Sequence, residues 1–334
     1  MLVQRNDAWA VSEDDFPRGS PIEAQLGFLL RYAILAPSVR NTQPWAFSVQ
    51  ENRVHLIADF RKTQPVADPD RRELYISIGC ALENLLVAAE HFGFGHGIAY
   101  FPERGAPDLV ATVTFEPGGT LSECRAGATL ASILTRHNDD GVFRPAPVPE
   151  WLRMRLLACC TEPDLQILLT GDRPFRHWID ALTLEADRAD FADPGFRREL
   201  KHWIGRGVFG SPPVREQLQR AASAHVDLAE HVARRDHAIV ESAALLGLIC
   251  ATGDSPPLHV RVGQLFERLW LTATALGVSI NPMSQTMRHP RLRATVGELL
   301  PSAGWTPQHL FRVGFGSSTA EQHTPRRPLD DVVV

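Results

Sequence analysis

The sequence has no Lys/Arg-rich block and no basic stripe. Its 34 Lys and Arg stand against 39 Asp and Glu, which gives a net charge of −5 and a pI near 6.2. A nucleic-acid partner is therefore not expected. The longest clearly apolar run is "AALLGLICA" from Ala243, too short for a helix to span a bilayer. The opening "MLVQRNDAWAVSEDDFPRGS" lacks the apolar centre of a signal peptide, so a cytoplasmic protein with no membrane partner is expected. Five cysteines are present, none in a C-x-x-C, and Cys159 and Cys160 are adjacent. That argues against a disulfide framework or a zinc site and for small buried hydrophobes. His225, His231 and His237 recur every six residues. That spacing turns each away from the last around a helix, so no metal site is expected. No catalytic acid–base pair stands out, and no catalytic residue is assigned.

What is present is a large apolar fraction, 44% of 334 residues, enough for one to three domains. "IEAQLGFLLRYAILA", 22–36, has helical spacing and ends at Pro37. "AFSVQENRVHLIAD" alternates on both sides of "QEN" and predicts a hairpin. "LYISIGCALENLLVAAEHFG" predicts an apolar helix, followed by the short strands "HGIAYFPE" and "DLVATVTFE". Further on, "VPEWLRMRLLACC" reads as a helix, "DLQILLTGD" as a strand, "VGQLFERLWLTATALG" as a buried helix and "HLFRVGFGS" as a strand. A long Arg-, Asp- and His-rich segment, about 174–250, reads as helical. The two apolar helices align with Gly79 on Gly263 and Gly93 on Gly277, a constant offset of 184 residues (263 minus 79). A helix framed by two aligned glycines and followed by a matching strand points to two copies of one unit.

Four stretches carry a resemblance: "APSVRNTQPWAF", "ADFRKTQPVADPDRRELYISIGCALENL", "RVGQLFERLWLTATALGVSINPMSQ", and "FRVGFGSS" with "TPRRPL". They resemble the nitroreductase-like flavoproteins, and most closely the Acg-type branch with two nitroreductase-like halves in one chain. The resemblance implies an α+β nitroreductase-like fold whose two homologous halves form an intramolecular pseudo-dimer with a helical lid insertion. The halves are expected at 1–122 and 123–334, the latter including the lid segment at about 174–250. The resemblance also implies FMN at the junction of the halves, with NAD(P)H as a possible reductant. A small-molecule substrate, and either a monomeric pseudo-dimer or a homodimer, complete the expectation.

The parts of such a site are divided between the halves. The first half has Pro37, Ser38 and Asn41, but "FPRGSPIEAQL" offers no Arg-x-Ser-x-Arg. The second has "TRHNDDGVF" and the terminal Arg326-Arg327, but no Pro-Ser-x-x-Asn. The resemblance therefore implies one FMN per chain. Its phosphate is expected on Arg136, Asn138 and Arg327, with Arg326 as the substitute for Arg327. Ser38, Asn41 and Gln43 are expected at the ribityl chain or ring edge. The backbone of Ser279, Ile280, Asn281 and Pro282 is expected to face the ring. Guanidinium groups suit a phosphate dianion, and amide side chains suit the pyrimidine end of a flavin. Asp140 stands where the resemblance implies a basic residue, with Asp139 beside it, and two carboxylates repel a phosphate unless they turn away or pair with Arg136 or Arg144. The function implied is NAD(P)H-dependent reduction of a small organic acceptor. The alternatives are an FMN-sequestering protein with little turnover, or a specialised oxidase or dehydrogenase of a biosynthetic pathway. The lid is expected over the flavin or, alternatively, on the outer face.

Overall fold

A computed structural model describes residues 7–205, 235–301, 303–316 and 323–334. It contains one structural unit twice. In the first copy, helix α1 (Ile22–Ala33) precedes the hairpin β1 (Trp45–Gln50) and β2 (Arg53–Ala58). The long helix α2 (Arg72–His91) follows, then β3 (Phe94–Tyr100) and β4 (Leu109–Pro117). A short helix α3 (Leu130–Thr135) leads into the second copy. This comprises α4 (Glu150–Leu157), β5 (Leu165–Thr170), β6 (Leu245–Ala251), α7 (Pro256–Ala275), β7 (Ser279–Pro282) and β8 (Thr306–Gly314). The sheets are both antiparallel and have equivalent strand orders, β1-β2-β4-β3 and β5-β6-β8-β7. The ladders even slip at corresponding places, Leu56/Ile57 and Ile249/Cys250.

The two long helices pack across each other at the glycines that the repeat aligns. A Cβ on Gly79 would lie 2.0 Å from the Val260 carbonyl oxygen, and one on Gly263 would lie 2.0 Å from that of Ile76. Only glycine permits this backbone approach. Gly93 and Gly277 both end their helices with positive φ, 83° and 71°. The crossing lies within one hydrophobic core that takes Leu82, Leu85 and Ala89 from α2 and Phe266, Leu269 and Ala273 from α7.

The copies differ between their first two strands. Where β1 and β2 are joined by a tight turn with Glu51 at φ 53°, β5 and β6 are separated by the long insertion. The insertion begins with α5 (Arg173–Ala192) and α6 (Pro194–Gly205), and residues 235–240 are again helical. The part of the expected lid at 206–234, with His225 and His231, lies outside the described residues. Helix α5 packs Ile179, Leu182 and Ala186 on the outer face of the second sheet. There it meets Leu246, Leu248 and Leu310, with Met287 of α8 (Gln285–Arg288) and Leu292 of α9 (Pro290–Glu298). That is the outer-face arrangement. Helix α6 instead crosses to the first copy, where Phe196, Leu200 and Ile204 cluster with Ala67.

One element is corrected. "LLGLICA", expected at the end of the helical insertion, is β6, a central strand buried along its whole length. Such a strand shows no alternation, and a short apolar run cannot be told from buried helix by period. The C-terminal tail returns to the first copy: Phe47 N–H donates to the Val332 carbonyl and Val334 N–H to that of Phe47, adding a parallel bridge beside β1. No described helix is long and apolar enough to cross a membrane.

Candidate functional site

The Ser38–Gln43 loop is held in an unusual backbone conformation. Arg40, Asn41 and Gln43 have φ of 48°, 52° and 50°, the left-handed region that costs a non-glycine residue about 1 kcal/mol or more. Several bonds hold it. Ser38 Oγ accepts from Gln43 N–H at 2.9 Å, and Ser77 Oγ accepts from Val39 N–H at 3.1 Å. Asn41 Nδ2 donates to the Pro325 carbonyl at 2.9 Å. Gln43 Oε1 accepts from Arg327 N–H at 2.7 Å. Outside the loop, the Arg40 guanidinium pairs with Glu199 of α6 at 3.1 Å and lies over the Phe196 ring. Trp45, which follows the loop, is fully buried in the core.

Two arginines from distant parts of the chain converge behind this loop. Arg136 leaves the C-terminus of α3 and donates to the Leu35 carbonyl at 3.3 Å. Arg326 donates to the same carbonyl at 3.0 Å and to Asn41 Oδ1 at 3.2 Å. Each guanidinium covers an indole, Arg136 over Trp270 and Arg326 over Trp9. Glu267 of α7, with no solvent exposure, lies 3.4 Å from Arg136 Nε. The contact is ionic but not aligned as a hydrogen bond. Both Nε atoms lack an acceptor and both Glu267 oxygens lack a donor. Burial, reinforced by Arg136, pulls Arg326 down to about 9. Burial likewise lowers Arg136 and lifts Glu267 to about 7 against the pull of both arginines. Desolvation thus outweighs the ionic contact on both sides of the pair.

Arg327, the first choice for the phosphate, is used differently. Its guanidinium donates to the carbonyls of Gln43 at 3.3 Å and Asp331 at 2.6 Å, which pins the tail. Arg326 is the member of the pair beside Arg136. Asn138 is turned away from these arginines, donating to Asp140 Oδ1 at 2.5 Å and accepting from Asn281 Nδ2 at 2.7 Å. Asn281 also donates to Asp140 Oδ1 at 3.0 Å. Asp139 neither pairs with Arg136 nor with Arg144. Its side chain accepts from Gly141 N–H, and its carbonyl accepts from the buried Arg312 at 2.7 Å. Arg144 binds the Gly316 carbonyl instead. Burial raises the Asp140 carboxyl above its ordinary range. Ser279–Pro282 is β7, and its backbone pairs with β8 from Gly314 to Phe311. Within it the Ile280 side chain is core.

The structure thus joins Ser38, Asn41, Gln43, Arg136, Arg326 and Arg327 in one network, and Asn138 with Asn281 in a neighbouring one. The residues that sequence reasoning missed are Glu267, Arg312 and the carbonyl of Leu35. A signal existed for the first: the repeat that sets Gly79 on Gly263 also sets Glu83 on Glu267, a carboxylate inside an apolar helix in both copies. Their environments are opposite. Glu83 accepts from Arg125 at 2.7 and 3.0 Å, from Arg268 Nε at 2.8 Å and from Gln264 at 3.3 Å. Burial would raise it, but Arg125 and Arg268 hold it down to about 2. Other polar residues of α2 are structural: Arg72 pairs with Glu73 at 2.6 Å and binds the Gln308 carbonyl, and Asn84 binds the Tyr32 carbonyl.

No family model matches the chain. Curated relatives match along nearly its full length. A Mycobacterium tuberculosis H37Rv protein named "Putative NAD(P)H nitroreductase Rv3131" is 28% identical over 329 residues, covering 91% of this chain and 90% of the relative. "Putative NAD(P)H nitroreductase acg" of the same strain is 25% identical over 91% and 93%. The chain is thus similar over most of its length to proteins named as NAD(P)H nitroreductases, acg among them. A more distant relative, "Probable NAD(P)H nitroreductase PigM" of Serratia sp. (strain ATCC 39006), is 24% identical over 91% and 92% of the two chains. A solved Desulfitobacterium hafniense nitroreductase with bound FMN aligns at 12% identity over 64% of this chain and 98% of its own, with a TM-score of 0.41. That likeness is partial, and no residue assignment follows from it.

Proposed function

We propose that the chain is an FMN-binding oxidoreductase that uses NAD(P)H to reduce a small organic acceptor, with one flavin per chain where the two halves, 1–122 and 123–334, meet. The observation that carries the reading is the pair of buried guanidinium groups, Arg136 and Arg326, converging on one carbonyl of the first half with both Nε–H groups free of an acceptor. That donor set suits a phosphate monoester, which accepts charge-assisted bonds from several directions. Asn41, already bonded to Arg326, and Gln43, bonded to the next residue, would orient the polar part of the ligand from the first half. Arg40 and Glu199 would steady that loop. When bound, FMN would supply the hydride chemistry. The names of the relatives support the same reading.

Arg136→Met and Arg326→Met, each alone, are expected to weaken FMN binding by about tenfold to a hundredfold, roughly the worth of one charge-assisted bond. Flavin fluorescence titration measures this; unchanged affinity in both variants rejects the assignment. A second reading, FMN held with little turnover, is favoured by α6, which is clamped across the loop by Arg40. Anaerobic mixing of the FMN-loaded chain with NADPH or NADH separates the two, since only an enzyme bleaches the flavin within seconds to minutes.

A further inference from the structure

The repeated glutamates show what has become of the second site of the internal pair. Glu83 is saturated by Arg125, Arg268 and Gln264, and Arg125 is shared with Glu90 at 2.8 Å. That place is filled by side chains of the chain itself. At Glu267 the corresponding filling is absent. The carboxyl is fully buried, has no hydrogen-bond donor and faces two arginines that each retain an unused donor. An unpartnered buried carboxyl beside unpartnered guanidinium groups is costly unless something else completes the set.

We propose that Glu267 is the proton-holding member of the anion site, so that a phosphate monoester binds to Arg136 and Arg326 together with one proton taken up by Glu267. The charge arithmetic requires it. Two guanidinium groups and one carboxylate carry one positive charge, and a phosphate dianion would leave the buried group net negative. A proton from solvent, bound on a Glu267 oxygen, restores neutrality and gives the carboxyl an O–H donor. Charged and titratable groups reach Glu267 from each packed element: Arg136 from the segment after α3, Arg326 from the tail, and Glu83 and Cys80 from α2. Glu83 is already neutralised by its arginines, and the Cys80 thiol is pushed well up by burial, so neither accepts the proton from a neutral-pH solvent. The raised affinity of Glu267 for a proton, at about 7 before any anion is added, is in the same direction.

The proposal rests on the FMN reading and is tested with FMN itself. Calorimetric titration of the flavin-free chain with FMN at pH 8, in two buffers of different protonation enthalpy, is expected to show uptake approaching one proton per FMN. Between pH 7 and 8 the phosphate is already largely a dianion and Arg326, at about 9, keeps its charge, so affinity is expected to fall by up to tenfold across that unit as Glu267 loses its proton. In Glu267→Gln, whose amide supplies a donor without titrating, uptake is expected to vanish and affinity to be flat across that range. Binding of FMN by the wild-type chain without proton uptake overturns this proposal and leaves the flavin reading standing. A slope unchanged in Glu267→Gln does the same. No FMN binding by the wild-type chain removes the flavin reading and this proposal together.

Discussion

Glu83 and Glu267 occupy equivalent positions in the two copies of the unit, and their surroundings give them opposite pH behaviour. Glu83 and Glu90 are both held down to about 2, by Arg125 and Arg268 in one case and by His96, Ser122 and Arg125 in the other, in each case against burial. A carboxyl whose folded pKa lies below its unfolded value stabilises the fold above the unfolded value, 4.5, and loses that contribution as pH falls toward the folded one. Acid denaturation measured by circular dichroism is therefore expected to begin below about pH 4.5 and to run toward pH 2. Glu83→Gln leaves two buried arginines short of their counter-charge and is expected to cost about 3–5 kcal/mol in guanidinium unfolding; a cost below about 1 kcal/mol would show the network to be dispensable. Glu267 runs the other way. Its folded pKa is raised, so its contribution is present below 4.5 and is lost as pH rises through about 7. The flavin-free chain should lose stability across that interval, and Glu267→Gln should flatten the loss. At this scale the sequence was half legible. Arg136 and the Arg326-Arg327 pair stood out by type, but neighbouring residues of an irregular tail point in different directions, and only the fold shows that Arg326 turns inward while Arg327 binds Gln43 and Asp331.

Among the elements, α2 and α7 matter most, because their crossing joins the copies. An alanine at Gly79 or Gly263 must push its Cβ against a carbonyl of the opposite helix, and backbone cannot move aside as a flexible side chain can. Either substitution is expected to cost about 3 kcal/mol or more. The double variant should cost clearly less than the sum, because both act at one crossing. Additive costs in a denaturant-melt cycle would mean that the helices do not meet there. The repeat was legible in advance from the offset shared by Gly79, Gly263, Gly93 and Gly277, but that Gly79 and Gly263 meet at a crossing is seen only in the fold. The hairpin of β1 and β2 was legible from alternation. Strand β6 was not: it is buried on both faces, so it carries no period, and the insertion separates it from its partner β5.

In the whole molecule, the insertion and the C-terminal tail tie the copies together away from the helix crossing. Helix α6 sets Glu199 against Arg40 and against the backbone N–H groups of Val66 and Ala67 at 3.0 and 3.1 Å. The Phe196 ring lies between Arg40 and Arg288. If this strap limits access to the loop, Glu199→Gln should speed FMN release by roughly tenfold, equivalent to about 1.4 kcal/mol, while leaving the fold intact. Stopped-flow dilution would read the rate, and an unchanged rate would place the strap outside the exit path. On the proposed reading two copies make one site, because the place of Glu83 is filled and that of Glu267 is not. The most direct measurement is the amount of FMN released on denaturing the purified, FMN-saturated chain, counted per polypeptide. On the one-site reading, about one is expected in the wild-type chain and in Arg327→Met, and in Arg136→Met and Arg326→Met a fraction that falls away on desalting, their affinity being about tenfold to a hundredfold weaker. Two per chain, or none at saturating FMN, would contradict it.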